Sequence, residues 1–422
     1  MKPVTTMRDR LLYLITFWTD VSAFMVIFTI SRSLAESKVS LMTLGLTGGV
    51  FSLLYGVGSI FFGSLSDRLG RRRLILLGQL GTTCCGLALL LLGPDIRFYH
   101  YVFYAAYGLV LGSIYSPLMA WLNQDRKVGE YSRGISSVLI RFCLSWNMGL
   151  LVGQVTGGLL FSSGNRIPLM VVLGSNLLCV ILVLLVPLEN GNPEGEIQNN
   201  SERIAPPEQA LAKSLTTICW ISNLAGSFSV AIIIHLLPQL AVSLRVDPEW
   251  HGFALAFMRV ATVAVYFLLH RTVFWHYRYK TTLIAQFVGI GGLTMLVFAE
   301  GVWELMVGLI GIAVLMGHNY FVGLYYSTVG RSESQLGFAS GMHEGTIAIG
   351  FMMGAIGGGL CGHLIHERAP YLLGIVVIVV LIIPQLIIYV RNVRPLRQEN
   401  LTTPPKISQT SEIEGRQPLA RP

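Results

Sequence analysis

Long apolar stretches alternate with short polar breaks along nearly the whole chain. Twelve runs stand out, near residues 11–32, 41–63, 74–93, 99–122, 135–162, 167–187, 214–241, 250–270, 281–299, 303–326, 336–362 and 370–390. Each is close to the ~20 residues a helix needs to cross a hydrocarbon core of roughly 30 Å. A bilayer offers no water to satisfy backbone polar groups, so a spanning segment must be a helix or a strand of a closed barrel. The runs are continuously apolar and lack the alternation of barrel strands, which selects helices. The pattern therefore predicts an all-α membrane protein with twelve transmembrane helices.

Two polar intervals organise these helices. Residues 188–213 turn to Glu, Asn, Pro, Gly and Ser and divide the runs six and six. We read 1–187 as an N-terminal six-helix bundle, 188–213 as a cytoplasmic linker and 214–390 as a C-terminal six-helix bundle. From 391 to 422 the chain is polar and Pro-rich, the composition of a disordered tail. The halves also look like weak repeats. Gly149-x-x-x-Gly153-x-x-x-Gly157-Gly158 is matched by Gly350-x-x-x-Gly354-x-x-x-Gly358-Gly359, and Gly112-x-x-Tyr115 by Gly317-x-x-Tyr320. Small residues at every fourth position let helices approach closely, here expected at the interface between the halves.

Charge refines the topology. Only 12% of residues are charged and 53% are hydrophobic, where soluble domains carry about 25% charged residues. Lys and Arg gather in the breaks that share a side with both termini, which places those breaks and the termini in the cytoplasm. The net charge of +8 thus reads as topology and contact with anionic inner-leaflet lipid, not as nucleic-acid binding. The expected location is the plasma (cytoplasmic) membrane. The first apolar run is too long for a cleavable signal peptide and is expected to remain as helix one. Cys84, Cys85, Cys143, Cys179, Cys219 and Cys361 lie in or beside apolar runs without metal or disulfide spacing, as small packing residues do.

One break is more than a turn. Gly63-Ser64-Leu65-Ser66-Asp67-Arg68-Leu69-Gly70-Arg71-Arg72-Arg73 links the second and third runs directly. It resembles the loop between helices two and three of the major facilitator superfamily, which reads Gly-x-Leu-x-Asp-Arg-x-Gly-Arg-Arg. The resemblance implies two pseudo-symmetric six-helix bundles and transport by alternating access. It also implies that Gly63, Asp67, Arg68, Gly70, Arg71 and Arg72 form a conformational signature, with Asp67 and Arg68 in a charge network that holds one state closed. The glycine pattern of the fifth run resembles that of the drug and solute efflux branch, but Gln154 replaces its proline. The arginine that proton-coupled exporters carry four residues before the position of Gly108 is Tyr104 here.

Charges inside the runs are the best site candidates, because an ionisable group in a bilayer is costly and faces the bundle interior or a wet cavity. Asp20, Arg141, Arg259 and Glu344 are expected at one depth near the membrane centre, sharing one cavity. His318 and His343 are positioned to join them, with Asn147, Trp146, Asn223 and Tyr115 supplying hydrogen bonds and stacking. Asp20 and Glu344 are the candidate proton carriers.

These readings point to a secondary transporter of a small organic solute, proton-coupled and working as an exporter or exchanger. The alternative on the same scaffold is a lipid flippase, with Arg141 and Arg259 as cationic rungs, or a transporter-like receptor. A membrane enzyme is disfavoured. His363, His366 and Glu367 form the one His/acid cluster in the sequence, and their order matches no zinc hydrolase. No P-loop, cofactor motif or metal motif is present in the sequence. The expected partners are a small-molecule solute, protons and the bilayer, and the expected state is a monomer.

Overall fold

The structure, a computed structural model, describes residues 6–93, 98–122, 131–187, 206–328 and 333–396. Side chains are described for all of these except 67, 120, 131–139, 206–209, 328 and 333–341. The described residues are helical almost throughout. The first six helices are α1 (Met7–Glu36), α2 (Leu41–Leu69), α3 (Arg71–Leu92), α4 (Phe98–Leu122), α5 (Tyr131–Ser163) and α6 (Arg166–Leu185). The remainder are α7 (Pro206–His235), α8 (Leu237–Ser243), α9 (Pro248–Arg271), α10 (Tyr279–Val297), α11 (Val302–Thr328), α12 (Glu333–Leu364) and α13 (Ala369–Ile388). Among the described residues, eleven helices are long and apolar enough to cross a membrane. They are all the helices except α5 and the short α8.

Local chemistry sets the helix ends. Thr6 caps α1 by accepting from the Asp9 amide at 3.2 Å, and Ser40 caps α2 through the Thr43 amide at 3.1 Å. Between α2 and α3 the chain turns on Gly70 alone, whose φ of +89° is open to glycine at no steric cost. Two expected boundaries move. The linker expected over 188–213 overruns the start of α7, which is already helical from Pro206; residues 188–205 lie outside the described residues. The expected tail at 391–422 begins as helix, since a π-turn over Tyr389–Val393 continues α13; residues 397–422 lie outside the described residues. The single run expected over 214–241 divides at Leu236 into α7 and α8. Pro238 explains the break: it lacks an N–H and its ring crowds the carbonyl four residues back.

Helices α1–α6 pack chiefly on one another, through α1 with α5 and α6, α2 with α4, and α3 with α4 and α6. Helices α7–α13 do the same, through α7 with α11, α12 and α13, α9 with α11, and α10 with α11 and α13. Two extensive contacts join the groups, α2 with α12 and α5 with α9. Polar side chains fasten helices inside each group. Gln79 donates to Thr19 at 2.6 Å, Ser22 and Tyr107 share a hydrogen bond of 2.8 Å, and Gln286 and Gln385 exchange two, at 2.8 and 3.1 Å. Leucine and lipid are equally apolar, so such bonds and close backbone packing hold helices together in a membrane.

The glycine repeats locate that close packing and correct one expectation. A methyl on Gly149 would lie 2.8 Å from Asp20 Cβ, and one on Gly153 would lie 2.5 Å from the Val21 carbonyl oxygen; both contacts are with α1. Gly350 and Gly354 are pressed in the same way against Leu224, Ser227 and Phe228 of α7. Most of each stripe therefore packs inside one group of helices. Only its last part reaches across: a methyl on Gly158 would meet Pro248 and Gly252 of α9, and one on Gly359 would meet Leu41 and Gly45 of α2. These two crossings repeat one another, and both lie at the end of the bundle away from Met7.

Candidate functional site

The closed end is further tied by Arg32, whose Nη2 donates to the Val246 carbonyl at 3.0 Å, and by His235 of α7 seated against Gly48 of α2. Further toward Met7, side chains on α4, α5 and α12 become half-exposed: Tyr115, Arg141, Leu144, Trp146 and Glu344. Asp20, Arg259, Tyr266 and Tyr320, in contrast, are buried.

Asp20, on α1, is the most enclosed of the candidate acids. Its Oδ1 accepts a 2.5 Å hydrogen bond from the Tyr115 hydroxyl of α4, while Oδ2 is buried with no partner. Gly149 of α5 allows the close approach beside it. Arg259 of α9 is buried opposite, near enough for its charge to act on Asp20 without forming an ion pair. Its guanidinium carbon lies 5.6 Å from the centre of the Phe24 ring, and Nε and Nη2 find no partner. A charge held over an aromatic face is partly compensated by the ring quadrupole.

Glu344 approaches from α12. Tyr55 of α2 is within electrostatic reach of both carboxyls, its ring 6.2 Å from that of Tyr115. On the other side Tyr320 of α11 stands near Glu344 and packs edge-on to Trp146 at 5.3 Å, and Tyr266 of α9 closes the group at 6.4 Å from both. Two acids and one base are thus set in an aromatic wall drawn from six helices. Tyr115 and Tyr320, the pair marked by the repeated Gly-x-x-Tyr, occupy related places in it.

Other candidates lie elsewhere. Ser145, Gly149, Gly153 and Gly157 of α5 contact Tyr13, Phe17, Val21 and Met25 of α1, a constant register of helix on helix. That register brings Arg141 level with Asp9, about 16 Å along the helix from Asp20. The expectation of four charges at one depth fails for Arg141, because span ends read from hydropathy do not fix register; Asp20 and Arg259 are the pair that act on one another. His343 is fully buried against Tyr320 and Gly323, inside the α11/α12 contact. His318 is buried in α11 beside Asn319, which donates to the Ser222 carbonyl. Asn147 donates to the Cys143 carbonyl at 2.8 Å next to Tyr266, and Asn223 donates to Thr346 at 3.3 Å. Tyr55 and Tyr266 were not legible as site residues, being two among 16 tyrosines in apolar sequence.

In the signature loop, Arg72 donates to the Leu184 carbonyl at 2.6 Å, joining the α2/α3 turn to the end of α6. Gly63 faces Ser116 of α4, and Arg68 is exposed. The Asp67 side chain lies outside the described residues. Among the described residues no group of His, Cys, Asp and Glu is arranged to hold a metal ion.

Comparison with known proteins agrees with this architecture. The tetracycline resistance protein, class H, of Pasteurella multocida is 24% identical over 310 residues, covering 68% of this chain and 72% of that protein. The fold is similar to the crystal structure of the nucleoside transporter NupG, with a TM-score of 0.64 at 13% identity, over 91% of this chain and 99% of the other. It is also similar to the human organic anion transporter MFSD10, with a TM-score of 0.62 at 14% identity, over 90% and 100%. A bacterial homologue of the human lysosomal transporter Spinster, solved in an inward-facing and unoccupied conformation, gives 0.63 at 14% identity over 94% and 99%. Residues 12–329 match the Major Facilitator Superfamily, and with twelve long helices among the described residues the chain is a multi-pass membrane protein belonging to that superfamily of transporters.

Proposed function

We propose that the protein is a proton-coupled secondary transporter that exports or exchanges a small organic solute across the cytoplasmic membrane. Residues 1–187 and the chain from α7 onward act as two rocking bundles, with both termini in the cytoplasm. The observation that carries the reading is Asp20, a buried carboxyl inside the helix bundle, with one oxygen bound to Tyr115 and the other unpartnered. An acid so placed changes its net charge when it takes or gives a proton, and that change biases which arrangement of the bundles is favoured.

On this reading the tied far end belongs to an inward-facing state. Solute enters from the cytoplasm and rests against Tyr55, Tyr115 and Trp146, which Tyr266 and Tyr320 back from behind. Glu344, near the entrance, and Asp20, deeper, answer to solute and proton in turn, and Arg259 keeps the local charge from becoming strongly negative. With Tyr104 standing where exporters usually carry an arginine, Arg259 is the fixed cation of this site. Arg141 serves the entrance. The tetracycline resistance relative supports export over uptake.

The reading is tested by counterflow in sealed proteoliposomes against a chemically broad panel of solutes. At least one solute is expected to accumulate with the wild-type chain and to fail with Asp20→Asn. Transport that survives Asp20→Asn unchanged would contradict the assignment, and scrambling of labelled lipid in place of solute movement would favour a flippase.

A further inference from the structure

The far-end closure contains polar groups that the transport site does not use. His251, in the first turn of α9, is fully buried and neither ring nitrogen has a partner. Its ring centre is 5.0 Å from that of Phe28 on α1. Gln154 of α5 is also buried, with Oε1 unpartnered. Both residues line a cavity that Phe24, Ile27, Phe28, Ile234, Pro238 and Leu255 complete. Its accessible volume, about 10 Å³, is roughly the room of one water. Helices α1 and α5 form one side of this chamber and α7, α8 and α9 the other, so it sits on the seam between the moving groups. The Gly158–Gly252 crossing lies one turn away.

We propose that His251 is a second proton-binding site, a latch at the far-end closure that works with Gln154 and one bridging water. While the seam is shut, neutral imidazole and the Gln154 amide satisfy each other through that water. A proton on His251 would put a cation into an apolar chamber with no counter-charge, which is costly. Of the charged groups around it, Arg32 on α1 is tied to Glu36 at 2.7 Å and to the Val246 carbonyl. Helix α5 contributes Gln154 to the lining and no charge, while α7 and α8 contribute Ile234 and Pro238. The neighbouring His235 of α7 points instead to Gly48 and Phe51 of α2. Asp247 and Glu249 flank the latch on its own helix. Parting of the seam admits water, and His251 then binds its proton. Acid on that face therefore favours the open state and opposes reclosure.

The proposal rests on the alternating-access reading, and its test reads geometry without transport. Spin labels at Ser163→Cys and Ile365→Cys, both exposed at the far end of opposite groups, report the seam distance in lipid nanodiscs. An ordinary histidine titrates at about 6.5, so the ratio of open to closed seams is expected to rise up to roughly tenfold as the pH falls from about 7.5 to 5.5. In a chain that also carries Asp20→Asn and Glu344→Gln, so that the transport carboxyls no longer titrate, the rise is expected to remain with His251 and to vanish in His251→Asn, or in His251→Gln should the first variant fold poorly. In that carboxyl-free chain, a ratio unchanged with pH while His251 is present, or a rise that persists in either His251 variant, would overturn the latch. One short distance at every pH, which Gly158→Ala also fails to lengthen, would count against alternating access itself and remove the latch with it.

Discussion

Substituting alanine for Gly158 and, separately, for Gly153 distinguishes a seam from a weld. The two glycines are five residues apart on one helix and nearly equally crowded. A methyl on Gly158 would stand 2.6 Å from the Pro248 carbonyl oxygen, and one on Gly153 would stand 2.5 Å from that of Val21. Comfortable contact begins at about 3.5 Å, so either methyl pushes a neighbouring helix by roughly 1 Å. Overpacking of this kind costs about 1–3 kcal/mol. The difference lies in who bears it. Val21 belongs to α1, which travels with α5, so Gly153→Ala strains every state and should lower the melting temperature while leaving the conformational ratio alone. Pro248 belongs to α9, and Gly158→Ala strains only the state in which the far end is shut. The open-to-closed ratio should then rise by about 5–150-fold, the same energy expressed as a population. The distance between labels at Ser163 and Ile365 measures it. Equal shifts from both variants, or a shift from Gly153→Ala alone, would refute the assignment of α5/α9 as the moving seam.

Further outcomes follow from the same geometry. Tyr115→Phe removes the one donor to Asp20, an interaction with a charged group worth about 1.5–3 kcal/mol, and should lower solute-driven proton flux by roughly tenfold or more. Arg259→Met keeps an unbranched apolar stem but removes the guanidinium and leaves Asp20 without its nearby cation; coupled flux should be lost while the protein stays folded, read by flux alongside size-exclusion elution. Gln286→Leu or Gln385→Leu alone strands a buried amide and should cost about 1–3 kcal/mol in thermal unfolding, whereas the double variant should recover most of that loss. Arg141→Gln, level with Asp9 and not with Asp20, should retain the proton dependence of transport, measured as flux against pH.

Much of the fold was legible because the bilayer enforces it. A run such as 281–299 has almost no choice but a helix, and α10 occupies 279–297. The exceptions are local. Pro238 interrupts a run whose hydropathy gives no warning, since leucine and isoleucine continue on both sides. Pro206 to Lys213 reads as linker by composition yet extends α7. The site was legible only as far as charge marks it. Asp20, Arg259 and Glu344 are conspicuous in apolar sequence, and Tyr115 and Tyr320 share a repeated pattern. Depth was not legible, as Arg141 illustrates: the register of α5 on α1 is set by which glycines meet which carbonyls. Facing was not legible either, because a stripe of glycines spirals around its helix and so serves first a partner in the same bundle and then one across the seam.

The central claim is that Asp20 exchanges a proton in step with solute. Proteoliposomes carrying the wild-type chain and an entrapped pH dye should show proton movement when a transported solute is added, and none with Asp20→Asn. Glu344→Gln should weaken the response. Solute-driven proton movement that is equal in the wild type and in Asp20→Asn would contradict the account.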